Sequence, residues 1–498
     1  MILQVYLTHR EPAWLQILDQ EKLLYQIVPE RAAPAPGILL LTGRCHGREA
    51  WLQSWGRAGG SFILDAQNEH LAPALARAGK LYRIPCDVKK ILADWQSCDK
   101  KFILDDFFVT ETAAVQQKSK VRKAVVTAIR QAFSESGRPY VHLWYYPGDY
   151  RTSFSFRFDL DEYDAADFDT MCGLIERERE SITCFPNLGT YAQYPQALRR
   201  LKELGVEIGQ HGYVHHVYDN YRQNAWNLTR AEEVLSPITG KLRGFSAPHG
   251  KWHPSLGRIL EERDYLYSSE FCLEYDGFPY YPLLEGRLSK VLQIPTHPVC
   301  EGVFLERYGY QRERLQRYFT AVVQAKAAQE EPILFFGHPT RRIGRYPAIF
   351  MDLMDVVQEL PQVWRVSFEG LARWWRKRQD AEFTFEYRDD KIHLLTGQPA
   401  GDFRVEILWP GGRRKICRLE ALQPGLGQTR SGAQAFQSQA GAYPVREECV
   451  GYSRFKRVKN RIKRFLDWET KTPLGAYSLY EPRNWLKILL RLASGWLK

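Results

Sequence analysis

Hydrophobic positions in this chain fall into short runs separated by polar stretches of helix length. Over residues 1–147 the runs GILLLTG (37–43), SFILDA (61–66), KLYRIP (80–85) and KFILDDFFV (101–109) alternate with such stretches. Continuous apolar runs of this length predict buried strands of a parallel α/β sheet. Asp65, Asp105 and Asp106 close apolar runs, where an open α/β sheet binds ligands. No glycine-rich phosphate loop accompanies them, so caps and turns are the favoured reading. A helical stretch at 121–133 leads through ESGRP into YVHLWYYPGDY and SFSFRFDLDEYD. From there to residue 378 the alternation resumes, with ITCF (182–185), VEIG (206–209), LQIPT (292–296) and PILFFGHP (332–339). A succession of βα units this long suits a barrel or a deformed barrel.

The period then changes. FTFEYRDDKIHLL and DFRVEILWPGGRRKICRL alternate apolar with polar around turn residues, which predicts a small antiparallel β-unit over 379–422. QPGLGQTRSGAQAFQSQAGA (423–442) is rich in Gly, Gln and Ser, and 423–450 reads as a flexible linker. Helical spacing returns in 451–498: Phe455, Val458, Ile462, Phe465 and Leu466, then Trp485, Ile488, Leu489, Leu492 and Trp496, with basic residues between them. The expected architecture is α/β: an N-terminal parallel α/β domain at 1–147, a deformed (β/α) barrel at 148–378, the small C-terminal β-unit and linker, and a basic amphipathic tail at 451–498.

Apolar residues make up 44% of the 498-residue chain and charged residues 26%, which excludes a mainly disordered or collagenous protein. The nine cysteines are scattered and include no C-x-x-C pair; reduced thiols of a cytoplasmic protein fit better than a disulfide framework or a zinc knuckle. His9, Arg10 and Glu11 interrupt the N-terminus where a signal peptide would be apolar, and no run approaches the roughly 20 apolar residues of a spanning helix. The net charge is +11, and the tail, with twelve Lys/Arg against three acids, holds +9 of it. The surplus is therefore a tail property and says nothing of the substrate. Basic amphipathic helices with Trp anchors fit an anionic lipid surface, which predicts a peripheral location on the inner membrane surface; docking on the protein's own core is the alternative, and no nucleic-acid motif accompanies the charge.

Three segments of the central region hold the side chains of a metal hydrolase, each at the end of a strand-like run: Asp159 and Asp161 in FSFRFDLDE, His211, His215 and His216 in VEIGQHGYVHH, and His338 in ILFFGHP. Strand ends on one face of a barrel converge, so these distant residues can share a site. Two His four residues apart lie on one face of a helical turn and can bind one metal, and a carboxylate completes a set of three with an open position for water. A second carboxylate can take the proton as water attacks a carbonyl, and a group such as His338 can protonate the departing amine. Glu162 is close enough to compete with the aspartates, and His216 could stand in for His215. Asp164, Asp167 and Asp169 fit a helix N-terminus. The aromatic runs at 143–150 and 275–282 are read as core or as sugar-stacking platforms.

From about Ser153 to His338 these residues resemble the polysaccharide deacetylases of the NodB-homology type (carbohydrate esterase family four), and within them the divergent branch of lipid-linked 4-amino-4-deoxy-arabinose deformylases. Phe158-Asp159-Leu160-Asp161 matches the first motif in the D-x-D form of that branch, His211 and His215 match H-x-x-x-H in the context G-x-H-x-x-x-H-H, and Phe336-Gly337-His338 matches the late strand ending in His. The resemblance implies a deformed (β/α) barrel and one divalent metal, usually zinc. Asp161, His211 and His215 would be the ligands, Asp159 the general base and His338 the general acid. The third motif, R-x-P-x-G in the wider family, reads Ser246-Ala247-Pro248-His249-Gly250 here; the Arg that orients the base is absent, and His249 and Trp252 become candidate pocket residues.

The expectation is thus a metal-dependent hydrolase that removes an acetyl or formyl group from an N-acylated amino sugar in a lipid-linked or surface glycoconjugate precursor. The alternatives are a non-catalytic glycan- or lipid-binding adaptor that keeps the fold, and an amidohydrolase acting on a non-sugar amide.

Overall fold

The computed structural model describes residues 1–29, 32–34, 36–396, 401–422, 434–435, 443–451, 458 and 482–495. Strands β1 (Val5–Leu7), β2 (Tyr25–Ile27), β3 (Ile38–Leu40), β4 (Ser61–Leu64) and β5 (Lys80–Arg83) form a parallel sheet in the order β2-β1-β3-β4-β5. Its runs are apolar on both faces because helices cover both. Ile38, Leu40 and Ile63 share a core with the helix Pro12–Glu21, whereas Leu39, Leu41, Phe62 and Leu64 share one with Glu49–Arg57. Asp65 is a cap, accepting from the Gln67 and Val88 amides at 3.2 and 3.1 Å.

The run at 101–109 does not join this sheet. It is split into an antiparallel hairpin, β6 (Ser97–Leu104) and β7 (Phe107–Ala114), because Asp105 takes a left-handed φ of 49° and with Asp106 makes a two-residue turn. The helix Lys118–Glu135 and β8 (Tyr140–Leu143) follow.

Strand β9 (Thr152–Leu160) is buried along its whole length. It is flanked by β10 (Ile182–Pro186) and, beyond that, β11 (Glu207–Ile208); β12 (Gly244–Ser246) and β13 (Tyr267–Ser269) begin a second parallel sheet. A short hairpin, β14 (Leu283–Leu284) with β15 (Arg287–Leu288), precedes β16 (Leu292–Gln293), β17 (Ile333–Gly337) and β18 (Val363–Arg365). The strands form two parallel sheets, β11-β10-β9-β17 with β18 also on β9, and β12-β13-β16. A parallel bridge from Gln210 to Phe245 joins them on one side, and the His297 amide bonds the Leu334 carbonyl at 2.8 Å on the other. The α/β class and the deformed barrel-like arrangement agree with the expectation, although the described strands do not close into a continuous ring. The β6–β7 hairpin covers part of the opening: Ala114 donates to the Phe271 carbonyl at 3.1 Å, and Phe102, Leu104, Phe107 and Val109 belong to the same core as Phe156, Phe158 and Phe336.

After the helix Phe368–Asp380 come the antiparallel pair β19 (Thr384–Arg388) and β20 (Lys391–Thr396) and the strands β21 (Arg404–Leu408), β22 (Arg413–Arg418) and β23 (Gln434–Ala435). The last three form an antiparallel sheet that recruits β8, in the order β23-β22-β21-β8. Residues Arg446–Cys449, within the stretch read as linker, instead form β24 against β6. Val445 is buried, and Glu447 accepts from the Tyr275 hydroxyl and faces Lys100 at 3.5 Å, so this stretch has what a linker lacks, side chains to bury and pair. Of the tail, the first amphipathic stretch lies outside the described residues apart from Val458, and the second forms the helix Pro482–Gly495. Among the described residues no helix is long and apolar enough to cross a membrane. The nine cysteines are free thiols.

A buried polar knot ties the first helix to β8 and to Phe368–Asp380. Glu21 pairs with Arg122 and accepts from the Tyr145 hydroxyl at 2.7 Å, and the fully buried Arg378 donates to the carbonyls of Gln20, Leu143 and Trp144 at 2.7, 2.7 and 3.1 Å. Burial pushes the Glu21 carboxyl up, but Arg122, with His142 and Arg130, outweighs it and brings it to about 2 from 4.5. A carboxyl held low adds stability that is complete above its unfolded value and is lost as pH falls through the folded one. Glu21→Gln is expected to destabilise the fold by about 3–5 kcal/mol, since it leaves Arg122 buried without its charge partner, and to flatten the loss of stability between pH 4.5 and about 2. Denaturant unfolding across that pH range checks both; an unchanged slope would refute the assignment.

Candidate metal centre and its acid-base neighbours

The alternation of β9 sorts its side chains. Phe154, Phe156, Phe158 and Leu160 enter the main apolar core, so the period of two sends Ser153, Ser155, Arg157 and Asp159 to the opposite face. Asp161, one step past the strand end, continues that row. The D-x-D spacing thus places two carboxyls on one side of the strand, which adjacent aspartates on a regular strand would not do.

The Asp161 Oδ1 atom lies 3.2 Å from His211 Nε2 and 3.0 Å from His215 Nε2, and the two imidazole nitrogens are 3.1 Å apart. His211 is fixed through its other nitrogen, 2.7 Å from the Ser246 carbonyl. That contact requires a proton on Nδ1 and turns Nε2 toward Asp161. The His pair does not lie on a helical turn as its spacing suggested. Residues 211–216 form a bent loop, with Gly212 at φ 74°. The Asn227 side chain holds this loop: Oδ1 accepts from the Tyr213 and Val214 amides at 2.9 and 2.7 Å, and Nδ2 donates to the carbonyls of Val214 and His216, both at 3.0 Å. The two rings converge because the loop is pinned from outside.

The donor set fits a cation. Asp161 Oδ1 is buried without a hydrogen-bond partner, and a carboxylate oxygen packed against two imidazole nitrogens is the set that binds zinc. Burial raises the Asp161 carboxyl, but His211, His215 and His338 hold it well below the ordinary range.

Asp159 is 3% exposed. Its Oδ2 is 3.2 Å from Arg157 Nη2, and its Oδ1 accepts from the Ser246 hydroxyl at 3.2 Å. Arg157, fully buried, donates to the Ser269 carbonyl at 2.7 Å and lies over the Phe336 ring at 5.0 Å. The third motif has Ser where an Arg was expected, and the cation beside Asp159 comes from its own strand, two residues upstream. His338 follows β17; its Nε2 is 3.7 Å from Asp161 Oδ2, and its amide and Nδ1 meet Glu301 Oε1 at 2.8 and 3.0 Å. Burial disfavours the imidazolium, yet Cys300, Glu301 and Asp161 outweigh it and raise His338 well above its ordinary value.

Of the remaining candidates His249 borders this cluster and the others fall outside it. Glu162 is 65% exposed and faces Arg341 at 3.9 Å, and Asp164 caps the helix Ala165–Glu178. His216 turns to the Tyr218 ring, Trp252 packs with Leu273 and Leu284, and His249, at φ 57°, places its ring 4.6 Å from that of His215. The aromatic runs are mostly core: Trp144, Tyr146, Tyr275 and Phe278 are buried, whereas Tyr150 is exposed. Sequence reasoning missed Arg157 and Glu301, which no motif marked, and the approach of the β6–β7 hairpin. Cys272 donates to the carbonyls of Thr112 on β7 and of His249 at 3.3 and 3.7 Å. Burial, with Glu306 and Asp99 nearby, pushes the neighbouring Glu111 up to about 7.

Among solved structures, the chain is similar to one described as a polysaccharide deacetylase from Mycobacterium smegmatis, with 19% identity, a TM-score of 0.42 and coverage of 48% of this chain and 94% of that one. A structure described as a polysaccharide deacetylase from Pseudomonas aeruginosa PAO1 shows 21% identity, TM-score 0.40 and coverage of 46% and 92%. The Puue allantoinase gives 21%, 0.40, 47% and 93%. No curated protein matches the chain. Residues 156–268, the segment that carries Asp159, Asp161, His211 and His215, match the family model for polysaccharide deacetylase.

Proposed function

We propose that this protein is a metal-dependent hydrolase that removes an N-acyl group, acetyl or formyl, from an amino sugar. The observation that carries the proposal is the juxtaposition of a three-donor cation set with a separate buried carboxylate, Asp159, held by Arg157. Asp161, His211 and His215 would hold a divalent ion, and two nitrogens with one oxygen suit zinc. Such an ion, when bound, supplies Lewis acidity at the acyl carbonyl.

The chain's own residues do the rest. Arg157, 3.2 Å away, and the Ser246 hydroxyl position Asp159, and that carboxylate takes the proton of the attacking water. His338, held protonated and oriented by Glu301, delivers a proton to the departing amine nitrogen. The absent third-motif Arg is the ground for reading the protein as a non-catalytic adaptor, and Arg157 weakens that ground by supplying a cation from another element. An amidohydrolase on a non-sugar amide shares these residues and differs only in substrate. The D-x-D and G-x-H-x-x-x-H-H forms favour the deformylase branch and a lipid-linked substrate. A peripheral membrane location draws support from the basic tail and from the helix Pro482–Gly495, where Trp485, Leu486, Leu489 and Leu492 are exposed.

Asp159→Asn is expected to keep its metal and lose about 10²–10⁴-fold in turnover, whereas His211→Ala loses turnover together with the ion held by Asp161, His211 and His215. Metal analysis with acetate and formate release from free and lipid-linked N-acyl amino sugars measures this; full turnover in both variants overturns the proposal. Arg157→Met should lower turnover while leaving the metal content unchanged, because Asp159 loses the side chain that positions it; unchanged turnover removes Arg157 from this role. Deleting 451–498 should abolish sedimentation with anionic liposomes while leaving turnover of a soluble substrate intact. Retained sedimentation sinks the membrane assignment.

A further inference from the structure

His338 has more donors around it than a general acid needs. At its Nδ1 edge, Cys300, Glu301 and His338 each offer one ligand atom, and the three atoms lie within 4.8 Å of one another. Cys300 and Glu301 are 4% and 2% exposed, and Glu301 Oε1 is 3.0 Å from His338 Nδ1. The set is assembled from two places, the start of the helix Glu301–Tyr308 with the residue before it, and the residue after β17. A thiol, a carboxylate and an imidazole together select thiophilic divalent ions over Mg2+ or Ca2+, which prefer oxygen alone.

A side-chain cation already sits against these atoms. Arg342 Nη1 is 2.8 Å from His338 Nδ1 and 3.9 Å from Glu301 Oε1. One imidazole nitrogen cannot both donate to Glu301 and accept from Arg342, so the arrangement leaves one of these contacts unmade. Arg342 also has somewhere to go: it is 29% exposed, and Glu306 lies 3.6 Å from its other nitrogen.

We propose that Cys300, Glu301 and His338 form a second divalent-cation site, separate from Asp161, His211 and His215, which takes Zn2+, Co2+ or Cd2+ in place of the Arg342 guanidinium. The ion bonds to Sγ, to a Glu301 carboxylate oxygen and to Nδ1; the Cys300 S–H bond breaks and its proton leaves to solvent, with no change of oxidation state. Burial otherwise keeps this thiol protonated. An ion on Nδ1 takes the ring from Glu301, so excess metal slows turnover. That consequence rests on the hydrolase reading, whereas the binding does not.

Titration of the full chain with Zn2+ and Co2+ tests the site. Two ions per chain are expected at saturation in the unmodified protein, one in Cys300→Ser and one in His211→Ala. The cobalt form should show a thiolate-to-metal charge-transfer band that survives His211→Ala and is lost in Cys300→Ser. Retention of the first ion by Cys300→Ser reports that this variant folds. Arg342→Gln, which removes the competing charge, should tighten the second ion about tenfold or more. An ion count that Cys300→Ser does not lower, a charge-transfer band unchanged in Cys300→Ser, or an Arg342→Gln affinity that does not move would each overturn the proposal. Failure of the first-site reading looks different: His211→Ala would leave the count unchanged while Cys300→Ser still lowers it.

Discussion

A fully buried guanidinium must find an anion, and in this protein Arg157 finds Asp159. The two share one face of β9, and the strand's period of two places Asp161 on the same side just beyond it. The pair sets the chemical layout of the barrel interior. One carboxylate is paired with a fixed cation, and the other lies against His211 and His215. The proposed division of labour between a proton-accepting Asp and a ligand Asp follows this pairing.

Around that pair, each further group is positioned by a contact from another element. The Ser246 carbonyl sets the His211 tautomer while the Ser246 hydroxyl bonds Asp159, so a single β12 residue touches both halves of the site. Asn227, on the helix Tyr221–Thr239, fixes the loop bearing His215 through four bonds, and Glu301 holds both the backbone and the ring of His338. The N-terminal part of the chain is not a separate attachment to this assembly. Its hairpin contributes Phe102 and Phe107 to the barrel's own core and lies against the His249 loop through Cys272. β24 returns from the far end of the chain to complete the hairpin's sheet.

Much of this was legible as pattern. The continuous apolar runs of the first sheet, the βα alternation and the antiparallel period of 379–422 follow from which faces must be buried, and a strand covered on both sides has little choice of composition. D-x-D, H-x-x-x-H and the terminal His338 were legible because the chemistry needs particular side chains at strand ends. Two local readings went differently. Asp105 and Asp106 broke an apolar run into a hairpin, since a left-handed residue at a two-residue turn competes with extension of the strand. The His loop did not form a helical turn, because Asn227 satisfies its backbone in another conformation.

By itself, then, the sequence determined the α/β class, the order of elements, the five residues Asp159, Asp161, His211, His215 and His338, and the concentration of positive charge in 451–498. These are properties of local period, residue chemistry and composition. Only the tertiary structure decided which buried charges neutralise one another: that Arg157 serves Asp159, that Glu301 and Arg342 contend for His338, and that a hairpin from the first domain and a strand from near the end close on the barrel. Neutralisation depends on separations of 3–4 Å between residues up to hundreds of positions apart. The period of β9 puts Arg157 and Asp159 on one face, but no spacing along the chain encodes the long-range pairings, because burial makes a partner obligatory without specifying which.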